Sequence, residues 1–375
     1  MASTTFNFTD STTSSTTEAT DASNWKVIDN VAYNIETYYL WVILFLGFPG
    51  NSATIITIIK MSPTRSLTVY IALLAIVDNL AIVIKLLIFV LTDHGVDIGS
   101  FGCKFLGFCG NFLITLGNWI LVALSVERFA AVWYPLKLGQ NWTFKKSLIV
   151  VGGITVPLIA LFLHLFWTTD YVPAEPPNAA YCGVHAEYVG FITECWYWIN
   201  VAIYAILPFA LLLLFNSLIV AGIVMSRRVS RYLNRSKAKD NGHFTSYRQR
   251  QITVMLVTSA FVMILLTTPR CVFLILSTSL TAPMTTTKGA IVYLLDTLAY
   301  VMCDSTHAVN FYLYSFSARR FRKQFRDVLF CRERKRGQSG AQYVTLTSRM
   351  SIRFNTALIW DSVERPLVRY RSQEK

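Results

Sequence analysis

Seven apolar runs alternate with short polar connections along the chain, at about residues 38–60, 67–92, 101–133, 144–167, 192–225, 249–279 and 287–316. A helix needs ~20 mostly apolar residues to cross the hydrocarbon core of a bilayer. Each run is long enough for that. None shows the period-two alternation of a membrane β-barrel strand, and no soluble-type repeat is present. The pattern predicts an all-α membrane protein, a seven-transmembrane helix bundle over residues 38–316 with a short amphipathic eighth helix on the membrane surface at 317–331. Residues 1–37, rich in Ser and Thr, are expected to form a disordered extracellular tail, and residues 332–375 a cytoplasmic tail.

Composition supports this reading. Of 375 residues, 54% are hydrophobic and only 15% charged, where a soluble domain carries roughly a quarter charged residues. The net charge of +13 comes from where the bases lie: 29 of the 34 Lys and Arg fall on one set of alternating connections and the C-terminal tail. The positive-inside rule then puts the N-terminus outside and the C-terminus in the cytoplasm of a multi-pass membrane protein. That distribution accounts for the basic charge without nucleic acid. No cleavable signal peptide is evident at the N-terminus. Asn7-Phe8-Thr9 is a sequon on the outer side and marks Asn7 for glycosylation; the sequons at Asn141 and Asn234 fall on the cytoplasmic side and are discounted.

The seven cysteines show no metal-ligand spacing. On this topology Cys103 and Cys182 both face the oxidising side, which predicts a disulfide between them. Cys331 follows the amphipathic stretch on the cytoplasmic side and is a candidate for palmitoylation, the alternative being an unmodified thiol.

Charges inside apolar runs are costly and mark function. Asp78 lies deep in the second run, and Lys85 follows it two turns further out. Glu127-Arg128-Phe129 closes the third run, Arg270 follows Pro269 in the sixth, and Asp296 and Asp304 occupy the seventh. Tyr300, Asp304, His307, Asn310 and Tyr314 recur at spacings of three and four and form one helix face, expected to look into the bundle. There is no nucleophile–base pair and no metal motif, so an enzyme is not expected.

These residues resemble the rhodopsin-like (class A) G protein-coupled receptors across nearly all of 38–331. Gly50-Asn51, Leu74–Asp78, Cys103 lying 25 residues before Arg128, Glu127-Arg128-Phe129, Pro208, Pro269 and Asn310-Phe311-Tyr312-Leu313-Tyr314 stand in the family's order. The Asn-Phe-x-x-Tyr variant and the stretch from Trp119 to Phe129 look most like invertebrate neuropeptide receptors of the FMRFamide or myosuppressin type. The resemblance implies a receptor passing binding of an extracellular peptide to a heterotrimeric G protein, with arrestin and a receptor kinase as further partners of its Ser/Thr-containing tail. It implies coupling through Glu127 and Arg128, switching through Pro269, Asn310 and Tyr314, and an allosteric sodium ion held by Asp78, Asn51 and Asn310. A protonated Asp78 satisfied by hydrogen bonds is the alternative, since Gly117 stands where family members often supply a Ser ligand.

Departures are visible too. Thr267 replaces the sixth-helix Trp, Asn216 a fifth-helix Tyr, Gly152-Gly153 a fourth-helix Trp, and Phe311 the seventh-helix Pro. Gly110 stands where monoamine receptors carry Asp, and Asp304 where retinal receptors carry the Schiff-base Lys, so neither ligand class is expected. Lys85, Arg270, Asp296, Tyr300 and Asp304 remain as the expected peptide-binding residues. The alternative for two of them is a Lys85–Asp304 ion pair that locks the second helix to the seventh. A rival from another class is a seven-helix transporter or ion channel using Asp78, Lys85 and Asp304 as an ion path, for which an inverted repeat would argue; none is seen.

Overall fold

The computed structural model describes residues 11–60, 66–134, 143–172, 181–233, 243–276, 280, 283, 285–317 and 319–330. Asn7, Cys331 and the tail beyond it lie outside the described residues. The helices are α1 (Ser11–Ile59), α2 (Ser66–Asp93), α3 (Gly99–Trp133), α4 (Phe144–Thr168, with a turn at 163–164), α5 (191–233), α6 (His243–Leu276), α7 (Thr287–Ser317) and α8 (Arg319–Leu329). Between α4 and α5, β1 (Thr169–Val172) pairs antiparallel with β2 (Tyr181–Val184), so Tyr181–Val184 forms one strand of a hairpin. Helix α1 packs on α2 and α7, α3 touches α2, α4 and α5, and α6 packs on α7.

One expectation is corrected. The tail expected to be disordered through residue 37 is helical from Ser11. Its last turns before the bundle are held by contacts to α7: Ala32 is buried and Tyr293 of α7 donates to Glu36, while Asn34 and Thr37 donate to the carbonyls of Asn30 and Tyr33 one turn back. The seven expected membrane helices are all present as α1–α7; six of them are long and apolar enough to cross a membrane by composition alone, and α7 is more polar. It carries Asp296, Asp304 and His307, whose partners lie on other helices.

The bundle turns apolar side chains outward, as a lipid solvent requires, and buries its polar ones within an apolar core. Phe45, Ile149 and Phe261 are 80%, 72% and 65% exposed, whereas Asn51, Asp78, Asp304, His307 and Asn310 are all buried. Association inside lipid relies on close packing and hydrogen bonds, because burying apolar surface gains little there. Glycines of α1 provide the close packing. A Cβ on Gly47 would stand 3.1 Å from the backbone Cα of Ala308, and one on Gly50 3.0 Å from Cβ of Phe311. Phe311 therefore fills space that Gly50 leaves, and its ring also meets Phe325 and Phe321 of α8 at centroid distances of 5.2 and 6.1 Å. Arg322 joins the same corner, donating to the Ser315 carbonyl at 3.0 Å and so covering the exposed end of α7.

Helix α5 is π-helical over Phe191–Trp196 and Ala202–Ile206. Pro208 follows the second segment and has no N–H to offer the carbonyls four and five residues back, those of Tyr204 and Ile203. Two neighbours on α3 donate instead. Asn118 Nδ2 reaches the Tyr204 carbonyl at 2.9 Å and Trp119 Nε1 the Ile203 carbonyl at 3.1 Å. The proline thus fastens α5 to α3 by leaving carbonyls that α3 must satisfy.

Candidate functional site

At the hairpin end of the bundle, α7 presents Asp296, Tyr300 and Asp304 one turn apart. Asp304 pairs with Lys85 of α2, and Tyr39 of α1 donates to its second oxygen at 3.2 Å. Asp296 pairs with Arg270 of α6, whose guanidinium lies 3.6 Å from the Tyr300 ring centroid. The five expected ligand residues thus form two acid–base pairs radiating from α7, with Tyr300 beneath one of them. Arg270 also borders a small cavity lined by Asn118, Tyr204, Phe209, Thr267 and Cys303. The Thr267 hydroxyl donates to the Met263 carbonyl at 2.8 Å, so the residue at the missing tryptophan position is turned back onto its own helix.

The hairpin is anchored over this end by a disulfide between Cys103 and Cys182, the expected pair. Ser100 adds a hydrogen bond to Asp170 of β1 at 3.0 Å, and Lys104 lies 3.9 Å from the same carboxylate. The Tyr171 backbone N–H, with Ser100 and Lys104, holds the exposed Asp170 carboxyl below its ordinary value.

Halfway through the bundle Asp78 is buried. His307 Nδ1 lies 2.8 Å from its Oδ1, and Asn310 Nδ2 donates to Oδ2 at 2.9 Å. Asn51, expected beside Asp78, makes its amide hydrogen bond one step away, donating to the His307 carbonyl at 2.9 Å. The expected trio thus becomes a chain of contacts with His307 at its centre.

At the far end of α3, Arg128 Nη2 donates to Glu127 Oε1 at 2.9 Å, and Ser66 Oγ of α2 donates to the same oxygen at 2.6 Å. Arg128 borders a small cavity whose other walls include Asn216 of α5, Ser259 and Met263 of α6, and Tyr314 of α7. Asn216 donates to the Leu212 carbonyl at 2.7 Å. The Arg128 Nε and the Tyr314 hydroxyl are both buried without a protein partner. Polar groups of two helices therefore face one cleft with hydrogen-bonding capacity in reserve.

The sequence model of the 7 transmembrane receptor (rhodopsin family) matches residues 50–310. The chain belongs to that family. It is a family of signalling receptors rather than enzymes, and its members are multi-pass membrane proteins. Rhodopsin of Rana temporaria is 30% identical over 158 residues, 40% of this chain and 42% of the relative. An octopamine receptor (beta-2R) of Chilo suppressalis is 23% identical over 189 residues, 48% and 47% of the two chains. The neuropeptide S receptor of Rattus norvegicus is 26% identical over 148 residues, 39% of each. The chain spans less than half the length of these curated relatives.

Within the rhodopsin-family frame, Pro269 lies inside α6 one residue before Arg270, and Asn310 and Tyr314 share the inner face of α7. Sequence reasoning placed His307 on that face but did not assign it to Asp78; its position three residues before Asn310 was the available signal. Tyr39, Ser66, Asn118 and Trp119 were missed as partners. Nothing in the spacing of one helix indicates which residue of another it meets.

Proposed function

We propose that this rhodopsin-family protein is a plasma-membrane receptor for an extracellular peptide, acting on a heterotrimeric G protein in the cytoplasm. The basic connections place the hairpin end outside and the Arg128 end inside. The observation that carries the reading is that one helix, α7, holds every stage: the Asp296 and Asp304 pairs outside, His307 and Asn310 on Asp78 in the middle, and Tyr314 at the Arg128 cleft. A ligand that breaks either outer pair changes the forces on α7, and α7 borders the cleft where the partner enters. Binding free energy that differs between two arrangements of α7 shifts their populations.

A peptide suits the outer site because its charges alternate. A basic side chain competes with Lys85 for Asp304 or with Arg270 for Asp296, and a carbonyl or carboxylate takes the base released. The likeness to a neuropeptide receptor and the Asn310-Phe311 variant favour an amidated neuropeptide. Eleven acidic side chains against three lysines on the outer segments add long-range attraction for a cationic peptide. Arrestin and a receptor kinase are proposed to act on Thr345, Thr347, Ser348 and Ser351 of the tail, outside the described residues. A panel of amidated neuropeptides, read by calcium and cyclic AMP in cells expressing the chain, tests the reading and separates G protein classes. Asp304→Asn keeps an amide oxygen that Lys85 and Tyr39 can still bond while removing the charge a basic ligand group needs. It is therefore expected to weaken the active peptide far more than it lowers surface expression; equal losses argue for a purely structural pair.

A further inference from the structure

A sodium ion at Asp78 is implied by the family resemblance, but the residues around that carboxylate do not form a seat for one. A nitrogen stands on each oxygen: His307 Nδ1 at 2.8 Å from Oδ1 and Asn310 Nδ2 at 2.9 Å from Oδ2. Asn51 turns its amide nitrogen to the His307 carbonyl. Gly117 contributes no side-chain oxygen, although a Cβ there would lie only 3.9 Å from Asp78 Oδ1 and in ordinary contact with Val77 and Leu74. Asn51 Oδ1 and Asn310 Oδ1 are buried acceptors without a protein partner. Even with the two Asp78 oxygens, each already facing a nitrogen, these two neutral oxygens fall short of the roughly six that hard cations gather, and they suit hydrogen-bonding water instead.

We infer that the imidazole of His307 takes the place of the ion, so that Asp78 joins α2 to α7 through a side chain rather than through sodium. The difference is mechanical. A bound ion leaves the bundle when its cage opens, and its occupancy follows the salt outside. An imidazole is covalently part of α7, and its contact with Asp78 breaks only when α7 moves against α2. The buried carboxylate keeps its partner in any salt, which satisfies the requirement that a buried acid be hydrogen-bonded or paired. The strength of the α2–α7 joint is then set by this chain's own residues and is independent of sodium. The inference stands on the Asp78 cluster alone and does not depend on which ligand binds outside.

Thermal unfolding of the purified full chain in detergent, followed by the fluorescence of its nine tryptophans, tests it. The wild type is compared in sodium chloride and in choline chloride of equal ionic strength, together with Asp78→Asn. The wild type is expected to unfold at the same temperature in both salts. Removing the imidazole and adding oxygens, in Gly117→Ser/His307→Ser, is expected to create sodium dependence. Sodium should then raise the midpoint by about 3 °C, the size that mass action gives for an ion well above its dissociation constant. Asp78→Asn on that background should abolish the rise. A wild type stabilised by sodium, with the effect lost in Asp78→Asn, overturns the inference even if the double variant does not fold. A folded double variant indifferent to sodium overturns it as well, because the imidazole is then not what excludes the ion.

Discussion

Lys85 of α2 and Asp304 of α7 form a buried ion pair, and Tyr39 of α1 donates to the oxygen of Asp304 that Lys85 leaves. Three helices thus meet on one carboxylate that is 3% exposed. Such a pair is a poor source of net stability but a strong constraint, because removing one partner strands the other. Lys85→Met alone is expected to destabilise the purified protein by about 3–5 kcal/mol, and Lys85→Met/Asp304→Leu by much less. Thermal midpoints of the two singles and the double check this. A double variant as damaged as the sum of the singles argues against the pair.

Glu127 Oε1 accepts from both Arg128 and Ser66, so Ser66 helps to hold the carboxylate that restrains Arg128. Ser66→Ala is expected to raise ligand-free nucleotide exchange by roughly tenfold or more, and Glu127→Gln at least as much, since a hydrogen bond to a charged group contributes ~1.5–3 kcal/mol. Exchange measured in membranes with added G protein reads both. Unchanged basal exchange in Glu127→Gln removes the restraint from the account.

Glycines of this chain divide by what surrounds them. Gly152 of α4 has nothing within 4 Å of a built Cβ, whereas Gly47 faces the Ala308 backbone at 3.1 Å. Gly152→Ala is expected to stabilise by up to ~1 kcal/mol through helix propensity. Gly47→Ala is expected to lower stability by ~1–3 kcal/mol by forcing α1 off α7. Midpoints shifting in opposite directions are the expected signature, and a shared upward shift contradicts the packing argument.

Pro208 and Trp119 are linked through the Ile203 carbonyl. Trp119→Phe removes its donor and is expected to cost about 1–3 kcal/mol. In a Pro208→Ala background a backbone N–H returns to α5, so the same change should cost less. A double-mutant cycle by thermal unfolding measures the difference; additive costs disconnect the two residues.

Much of this arrangement was legible in the sequence because lipid leaves few choices. Backbone groups must pair within each helix, so long apolar runs announced the helices. A charge inside such a run demanded a partner, which is why a Lys85–Asp304 pair stood as the alternative to ligand binding at these two residues. The helical reach of α1 back to Ser11 was not readable, since a Ser/Thr-rich stretch has the composition of a disordered tail. The Asp78–His307 contact was half legible: periodicity put His307 on the inner face, but only the register of α7 against α2 sets it at the height of Asp78. Asn51 shows the same limit, lying on the correct face with its amide on the His307 carbonyl. The π-helical turns of α5 left no mark beyond Pro208.

The most direct test of the central claim is nucleotide exchange on purified heterotrimeric G protein by the purified chain in lipid nanodiscs, with the peptide selected from the amidated panel. The account expects the peptide to accelerate exchange, Asp304→Asn to shift the required peptide concentration upward, and Arg128→Ala to abolish exchange while peptide binding persists. Peptide-dependent ion flux in proteoliposomes without any acceleration of exchange would contradict it.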